Sequence, residues 1–288
     1  MKVIILGGSG FIGSHVADEL SKKGHKVTIF DKKKSKWLRK NQKMLVGDIL
    51  NYDALSNAIR NNQIVYNFAA ISDLDRAMHE PLISARINIL GTVQALNLCR
   101  KYKVKRFIHA SSIYATSSQG GFYSCSKRAA DDYVEEFNKI YKLNYTILRF
   151  GSVYGLRSDK SNGLRRIIDK AIWQRKIVYL GNKRTVRKYI NVLDVAKACT
   201  EVLKNSYKNK CVILTGKNPM KINELLKFLA KTLNINSKII FKDEKASTGH
   251  YIKTPNLYKV KKGRGLLLRS RINFHEGLLS LIQNIKKN

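Results

Sequence analysis

Several common features are missing from this chain of 288 residues. It has no run of eighteen apolar residues, about the shortest stretch that spans a bilayer, so no transmembrane helix is expected. Its four cysteines (Cys99, Cys125, Cys199 and Cys211) form no Cys-x-x-Cys pair, and its six histidines show no ligand spacing. No zinc site is therefore expected, and the thiols read as reduced residues of a cytoplasmic protein. A strand-like run begins at Lys2, so no signal peptide is expected. Acidic residues are scarce: 20 Asp and Glu stand against 55 Lys and Arg, for a net charge of +35. Such a surface attracts polyanions. The charge recurs at 32–40, 101–106, 183–188, 204–210 and 259–264 rather than in one tail. Abundant Lys, Asn and Ile with only three prolines offer a compositional explanation, and peripheral contact with an anionic membrane or an acidic partner offers a functional one. Aromatic residues are not interleaved with the basic runs as in a stacking groove, so no specific nucleic-acid binding is expected. No internal repeat is visible.

What is present begins at the N-terminus. The apolar run Lys2–Leu6 suits a buried parallel strand and leads straight into Gly7, Gly10 and Gly13. A helical pattern follows, with Val16, Ala17 and Leu20 on one side and Asp18, Glu19 and Lys22 on the other, and Gly24 stops it. Val27 to Phe30 is the next strand, and Asp31 ends it, eighteen residues after Gly13. Strand, glycine turn, helix, strand and acid make up a dinucleotide fingerprint. The glycines admit the pyrophosphate and the helix start supplies free N–H groups. Asp31 accepts ribose hydroxyls and repels a 2′-phosphate, which favours NAD over NADP, although Lys32, Lys33 and Lys34 directly behind it are groups that can hold such a phosphate.

Tyr123 and Lys127 stand one helical turn apart, eleven residues after Ser112, so both can face one pocket. An ammonium beside a phenol favours the phenolate and is expected to lower the Tyr123 pKa. With a Ser hydroxyl on the same substrate oxygen, the trio can move a proton on and off an alcohol while a cofactor takes the hydride.

Strand and helix patterns alternate to about residue 150. The strands are expected at 2–6, 26–30, 43–46, 64–67, 105–110 and 145–149, and the helices at 11–23, 51–60, 81–102 and 123–142. This predicts an α/β fold, a Rossmann-type doubly wound parallel sheet. Further on, helices are expected at 164–174, 192–205 and 222–233, and strands at 177–180, 212–215 and 239–241. They form a smaller mixed α/β C-terminal lobe for substrate. Residues 244–265 read as a mobile basic loop. The expected division is 1–155 for the dinucleotide and the Ser-Tyr-Lys set, and 156–288 mainly for substrate, with 177–200 returning to the first unit.

The Gly-x-x-Gly-x-x-Gly spacing, taken with Ser112, Tyr123 and Lys127, resembles the extended short-chain dehydrogenase/reductase family. More narrowly it resembles the NAD-dependent nucleotide-sugar epimerases and dehydratases related to UDP-galactose 4-epimerase. Other segments agree along nearly the whole chain: Gly47-Asp48-Ile49, Asn67-Phe68-Ala69-Ala70, Asn88-x-x-Gly91-Thr92, 148–155 and 187–196. The resemblance implies a cofactor site built from Gly7, Gly10, Phe11, Ile12, Gly13, Asp31, Asp48, Ile49, Phe68, Ala69, Ala70, Asn88, Tyr123, Lys127, Phe150 and Val153. It implies Tyr123 as base and acid, Lys127 as its partner and ribose contact, and Ser112 as the hydroxyl that holds the sugar oxygen. Ser152 and Arg187 fall on its substrate positions, Arg187 on the diphosphate. It also implies a homodimer made by the helices near 81–102 and 123–142.

Three departures follow. The family's dehydratases carry Asp-Glu where this chain has Ile113 and Tyr114, which argues against a 4,6-dehydratase. Ser152 replaces the family's substrate Asn. The stretch from Ser112 to Tyr123 is short, which opens the site. The leading expectation is an NAD-dependent nucleotide-sugar 4-epimerase working through a 4-keto intermediate. A 4-dehydrogenase or 4-ketoreductase with net redox, and a non-catalytic subunit that binds RNA or a partner, are the alternatives.

Overall fold

The computed structural model describes residues 1–117, 119–236, 239–242, 263–265 and 272–287. The first half alternates as β1 (Lys2–Leu6), α1 (Phe11–Lys22), β2 (Lys26–Asp31), β3 (Gln42–Val46), α2 (Tyr52–Ile59), β4 (Ile64–Asn67) and α3 (Leu74–His79). Next come α4 (Pro81–Ala85), a π-helical turn (Arg86–Leu90) and α5 (Gly91–Lys101), which run on as a single helix, then β5 (Arg106–Ser112), α6 (Gly121–Tyr141) and β6 (Tyr145–Phe150). Beyond it lie β7 (Ser152–Tyr154), α7 (Gly163–Gln174), β8 (Val178–Leu180), β9 (Val186–Arg187), β10 (Tyr189–Asn191), α8 (Val192–Glu201) and β11 (Lys210–Leu214). The chain closes with β12 (Met220–Lys221), α9 (Ile222–Thr232), β13 (Ile240–Lys242), β14 (Gly263–Gly265) and α10 (Phe274–Lys287).

Eight parallel strands form the central sheet in the order β14-β11-β6-β5-β4-β1-β2-β3. Helices cover both faces, so the middle strands are buried on both sides and read as unbroken apolar runs; Val3, Ile4, Ile5 and Leu6 are all fully buried. On one face Val16, Ala17 and Leu20 of α1 share a core with Val192, Val195 and Ala196 of α8. On the other, Leu55 and Ile59 of α2 pack with Leu96, Leu98 and Cys99 of α5 and Val134 of α6. The helix Pro81–Lys101 is long and apolar enough by composition to cross a membrane. Here it carries Ala95, Leu96, Leu98 and Cys99 into the core. A third cluster joins α7, α9 and α10 through Ile168, Leu225, Leu229 and Leu281.

The predicted alternation matches the observed one, with differences that have physical causes. Helix α6 starts two residues early, on Gly120 and Gly121, both with positive φ. The expected helix at 192–205 ends at Glu201, and Arg106 takes the carbonyls of the turn that follows, Val202 to Lys204. The expected helix at 81–102 holds a π turn that no side-chain periodicity announced. The basic segment expected as a loop at 244–265 lies outside the described residues, except that Gly263–Gly265 pairs with Cys211–Ile213 as an edge strand.

The chain lays β1, β2 and β3 outward in one direction and then β4, β5, β6 and β11 in the other. The reversal lies between β1 and β4, and the connections above the carboxyl ends of these strands splay apart there. Parallel α/β sheets bind ligands at such a switch point.

At the opposite edge Arg106, buried at the start of β5, donates from Nη1 to the carbonyls of Val202 (3.0 Å), Leu203 (3.3 Å) and Lys204 (3.0 Å), and from Nη2 to Asn205 Oδ1 (3.3 Å). A guanidinium at a helix C-terminus satisfies carbonyls that otherwise lack partners. Arg106→Leu is expected to lower stability by about 2 kcal/mol, measured by urea unfolding.

Candidate active site

One cleft of about 1280 Å³ runs across the carboxyl ends of the strands, from Asp31 to Arg187. It exceeds the roughly 300–1,000 Å³ of a single small-molecule pocket, which leaves room for a dinucleotide and a second ligand together.

Its floor is the glycine turn. Gly7 has a φ of +77°, and a Cβ there would lie 2.5 Å from the Ala69 nitrogen. A Cβ on Gly13 would lie 2.5 Å from the Gly7 carbonyl. The turn therefore folds flat against both the next connection and its own helix. Helix α1 starts at Gly10 with no side-chain cap and no acid in its first turn, so its first N–H groups face the cleft as an anion site. Asp31 closes this end: Oδ2 accepts from the Ser9 nitrogen (3.0 Å) and Oδ1 from the Lys33 nitrogen (3.1 Å). Those bonds fix the carboxylate and leave each oxygen a further lone pair.

Phe11, Ile12, Asp48, Ile49, Phe68, Ala69, Ala70, Phe150 and Val153 line the cleft, together with the glycines and Asp31. Phe68 stacks between Tyr66 (6.0 Å) and Phe150 (6.1 Å). Asp48 Oδ1 accepts from the Leu50 nitrogen (2.9 Å). Asn88 is the exception and corrects an expectation. Buried under the π turn, it accepts from the Ile71 nitrogen (2.8 Å) and donates to the Ile71 carbonyl (3.0 Å) and to Ser126 Oγ (2.9 Å). It braces the cleft wall rather than lining it, because its amide is used up on the backbone of Ile71.

At the middle of the cleft β5 and α6 bring together Ser112, Tyr123 and Lys127, all buried and all on the wall. Tyr123 is hydrogen-bonded to Ser112. Ser112 Oγ also accepts from the Tyr114 nitrogen (3.2 Å). The neighbouring Ser111 points its Oγ away, to Asp131 Oδ2 (3.0 Å). Lys127 Nζ donates to the Ala110 carbonyl at 2.9 Å. Burial pushes the Tyr123 phenol up to about 12 and the Lys127 ammonium down to about 8. The direction is opposite to the expected lowering: desolvation by burial raises the Tyr123 pKa most, the bond to Ser112 lowers it, and the charge of Asp131 raises it further.

Ile113 and Tyr114 sit in a 3₁₀ turn (Ile113–Thr116) over this trio, and the Tyr114 ring meets the Tyr123 ring edge-on at 6.2 Å. Arg128 donates to the carbonyls of Ala115 (2.9 Å) and Ser117 (2.8 Å), which ties the short connection down to α6. Ser152 and the largely buried Arg187 lie on the far wall. Several lining residues were not anticipated: Asp73 and Asp75 around α3, and Arg166, Lys170 and Tyr179 from α7 and β8. Arg166 Nη1 lies 3.6 Å from Asp75 Oδ2, an ion pair across the mouth of the cleft. Only Asn162 carried a signal, as an N-cap residue ahead of the α7 apolar pattern.

A glycine turn at a sheet switch point, an acid closing the second strand and a buried Ser–Tyr–Lys trio define a Rossmann-type dinucleotide site with proton-transfer groups beside it. The profile of the NAD dependent epimerase/dehydratase family matches residues 3–213, and the chain belongs to that family. It is 26% identical over 310 residues to a putative UDP-glucose 4-epimerase of Methanocaldococcus jannaschii, covering 99% of each chain. It is 28% identical over 240 residues to a dTDP-D-glucose 4,6-dehydratase of Dictyostelium discoideum, covering 70% of this chain and 55% of the other. Its fold matches that of the UDP-glucose 4-epimerase of Thermotoga maritima, solved with UDP-glucose, at a TM-score of 0.86 and 24% identity over 100% and 99% of the two chains. NAD is the cofactor of the family, and the uncapped start of α1 over the glycine turn, with no acid in its first turn, fits a pyrophosphate.

The buried Lys127 makes stability depend on pH with a definite sign. Its ammonium is disfavoured in the fold, so the folded pKa of about 8 lies below the ordinary 10.5. The cost is full below pH 8 and disappears as pH rises from about 8 to 10.5, because the unfolded chain then holds the extra proton. Thermal unfolding is expected to show the wild type gaining on Lys127→Met across that window.

Proposed function

We propose that the chain is a nucleotide-sugar 4-epimerase that uses NAD and a 4-keto intermediate. The observation that carries this reading is the trio at the cleft centre, with no carboxyl at positions 113 and 114. When bound, NAD would supply a hydride acceptor and, once reduced, a hydride donor. Gly7, Gly10 and Gly13 with the start of α1 hold its pyrophosphate, and Asp31 takes the adenosine ribose. Asp48 and Ile49 take the adenine, while Phe150 and Val153 flank the nicotinamide.

Ser112 donates to the sugar O4 and fixes it against Tyr123. The Tyr123 phenolate accepts the proton of the 4-hydroxyl, Lys127 holds the phenolate, and the 4-keto sugar forms. Once the sugar has turned over in the cleft, the hydride would return to the opposite face of C4 while the same phenol gives its proton back to O4, so both are restored. Arg187 and Ser152 hold the diphosphate through this rotation; a guanidinium fork suits that role. Removing a 6-hydroxyl takes a carboxyl acid and base, and Ile113 and Tyr114 supply neither. The same reading makes the enzyme cytoplasmic.

The test is a panel of UDP-, GDP- and dTDP-sugars incubated with enzyme and NAD, read by mass spectrometry and sugar NMR. Unchanged mass with inverted C4 is the expected result. A change of two hydrogens would make it a dehydrogenase or ketoreductase, and loss of water a dehydratase. Tyr123→Phe is expected to cut turnover by more than about 100-fold with NAD affinity near wild type; a mutant that turns over normally removes Tyr123 from the mechanism.

The reading includes a homodimer. Leu82, Ile83 and Leu90 on the helix 81–101 and Phe122, Tyr133 and Ile140 on α6 are exposed apolar residues on two neighbouring helices. Patches of this kind on long helices mark association surfaces. Light scattering is expected to give twice the chain mass of 32.9 kDa, and Leu90→Arg combined with Tyr133→Arg is expected to give monomers. A monomeric wild type would rule the dimer out.

A further inference from the structure

Helix α6 buries a third polar residue one turn beyond Lys127. Tyr123, Lys127 and Asp131 stand at i, i+4 and i+8, on one face of the helix. Asp131 is 2% exposed. Its Oδ2 accepts three bonds, from Ser111 Oγ (3.0 Å), Arg149 Nε (3.1 Å) and Arg149 Nη2 (3.0 Å). Its Oδ1 accepts none, and the buried His109 Nε2 stands 3.6 Å away. A carboxylate in such a place is costly to desolvate, and its pairing with an arginine does not by itself stabilise a fold beyond what an apolar pair would. Half of this carboxylate is left without a bond as well, so packing gives no account of it.

The same four residues of β5 serve all three residues of α6. Ser112 bonds Tyr123, the Ala110 carbonyl accepts from Lys127, and Ser111 and His109 face Asp131. Tyr123 stands in the turn before Lys127 and Asp131 in the turn after it. We propose that Asp131, held by Arg149 and Ser111 one turn along the same helix face, is a positioning residue that acts through Lys127, its charge keeping that ammonium protonated for Tyr123. This rests on the reading of Tyr123 and Lys127 as the proton-transfer pair.

The charges fit. Burial pulls Lys127 down, and Asp131 is what pushes it back up. Asp131 itself is raised to about 6 by burial, against the opposing pull of Arg149, Ser111 and Lys127, so it is ionised at neutral pH. The groups around it are Tyr123, Lys127 and Glu135 on α6, His109 and Ser111 on β5, Arg149 and Tyr145 on β6, and Cys211 on β11; its charge also raises the Tyr123 phenol, which stays protonated up to about 12. Burial keeps His109 neutral and pushes both Tyr145 and Cys211 up to about 12. Between pH 7 and 10 the group in this cluster that changes charge is therefore Lys127.

The experiment compares the pH dependence of thermal unfolding for the wild type, Lys127→Met, Asp131→Asn and the double variant. The difference between wild type and Lys127→Met isolates the Lys127 step near pH 8. In the Asp131→Asn background that step is expected to move down by about one pH unit. The alkaline limb of kcat should move with it while substrate KM stays near wild type, and Asp131→Glu should restore both. A step that stays put in the Asp131→Asn background overturns the proposal, because loss of packing alone does not move a lysine titration. If Asp131→Asn does not fold, Ser111→Ala takes its place. It removes one of the three bonds that hold the carboxylate charged and should shift the step the same way by less; no shift there is equally fatal. Normal turnover in Tyr123→Phe would sink the catalytic reading and leave the unfolding result standing, so the two failures are distinguishable.

Discussion

A lysine ammonium buried against a strand carbonyl is the constraint on which the rest of this site depends. Lys127 is almost inaccessible to water, and a charge in that position must find protein substitutes for its hydration. It finds the carbonyl of Ala110 on β5, while one turn on Asp131 accepts from Ser111 of the same strand. Those two bonds set α6 against β5. With these set, Tyr123 one turn earlier can fall only beside the end of β5, where Ser112 waits. The short connection after Ser112 has no freedom left either, because Arg128 on the same helix holds it by two carbonyls.

The net charge of +35 looks different once the cleft is separated from the rest. Among the residues that line it, six cations meet five carboxylates, so the cleft is close to neutral while the chain as a whole is strongly basic. A quarter of all the acids therefore sit in one place. Two of them, Asp31 and Asp48, are already held by backbone N–H groups in orientations that suit acceptors of ribose and base hydrogen bonds. Most of the excess positive charge lies outside the cleft. The starts of neighbouring strands at the opposite edge of the sheet carry exposed Lys2, Lys26, Lys105 and Lys210, and Arg106 beside Lys105 is spent on capping α8. Whatever attracts anions to this protein does so through its outer field, and the cleft selects by shape and hydrogen bonding.

Local signals made the first half of the chain legible. Buried parallel strands are apolar throughout, the glycine turn has a rigid spacing, and Tyr and Lys at i and i+4 announce a shared face. What could not be read depended on distant packing. Asn88 carries the right chemistry for a cofactor contact, but its direction is set by a π turn and by Ile71, seventeen residues earlier. The acidity of Tyr123 has the opposite sign from the simple Tyr–Lys argument, because burial is a property of the whole fold. Arg166 and Lys170 reach the cleft only because α7 packs back across it. Edge strand β14 is three residues long, two of them glycine, and offers no apolar pattern.

Ile113 and Tyr114 bear most on the choice between chemistries within the family, where epimerases and dehydratases share one architecture. Both reactions begin by oxidising the sugar at the same carbon, so on the proposed reading Ser112, Tyr123 and Lys127 would serve either equally well. They diverge in what happens to the keto sugar. Dehydration needs a proton donor and an acceptor held over the ring, and epimerisation needs those positions to be inert so that the sugar can turn. An apolar Ile113 and a Tyr114 packed edge-on against Tyr123 are inert in that sense. The surroundings are consistent with this: the turn that carries them is short and tied down, and the cleft beyond is roomy. The proposed epimerisation thus depends less on the residues that do chemistry than on two that withhold it.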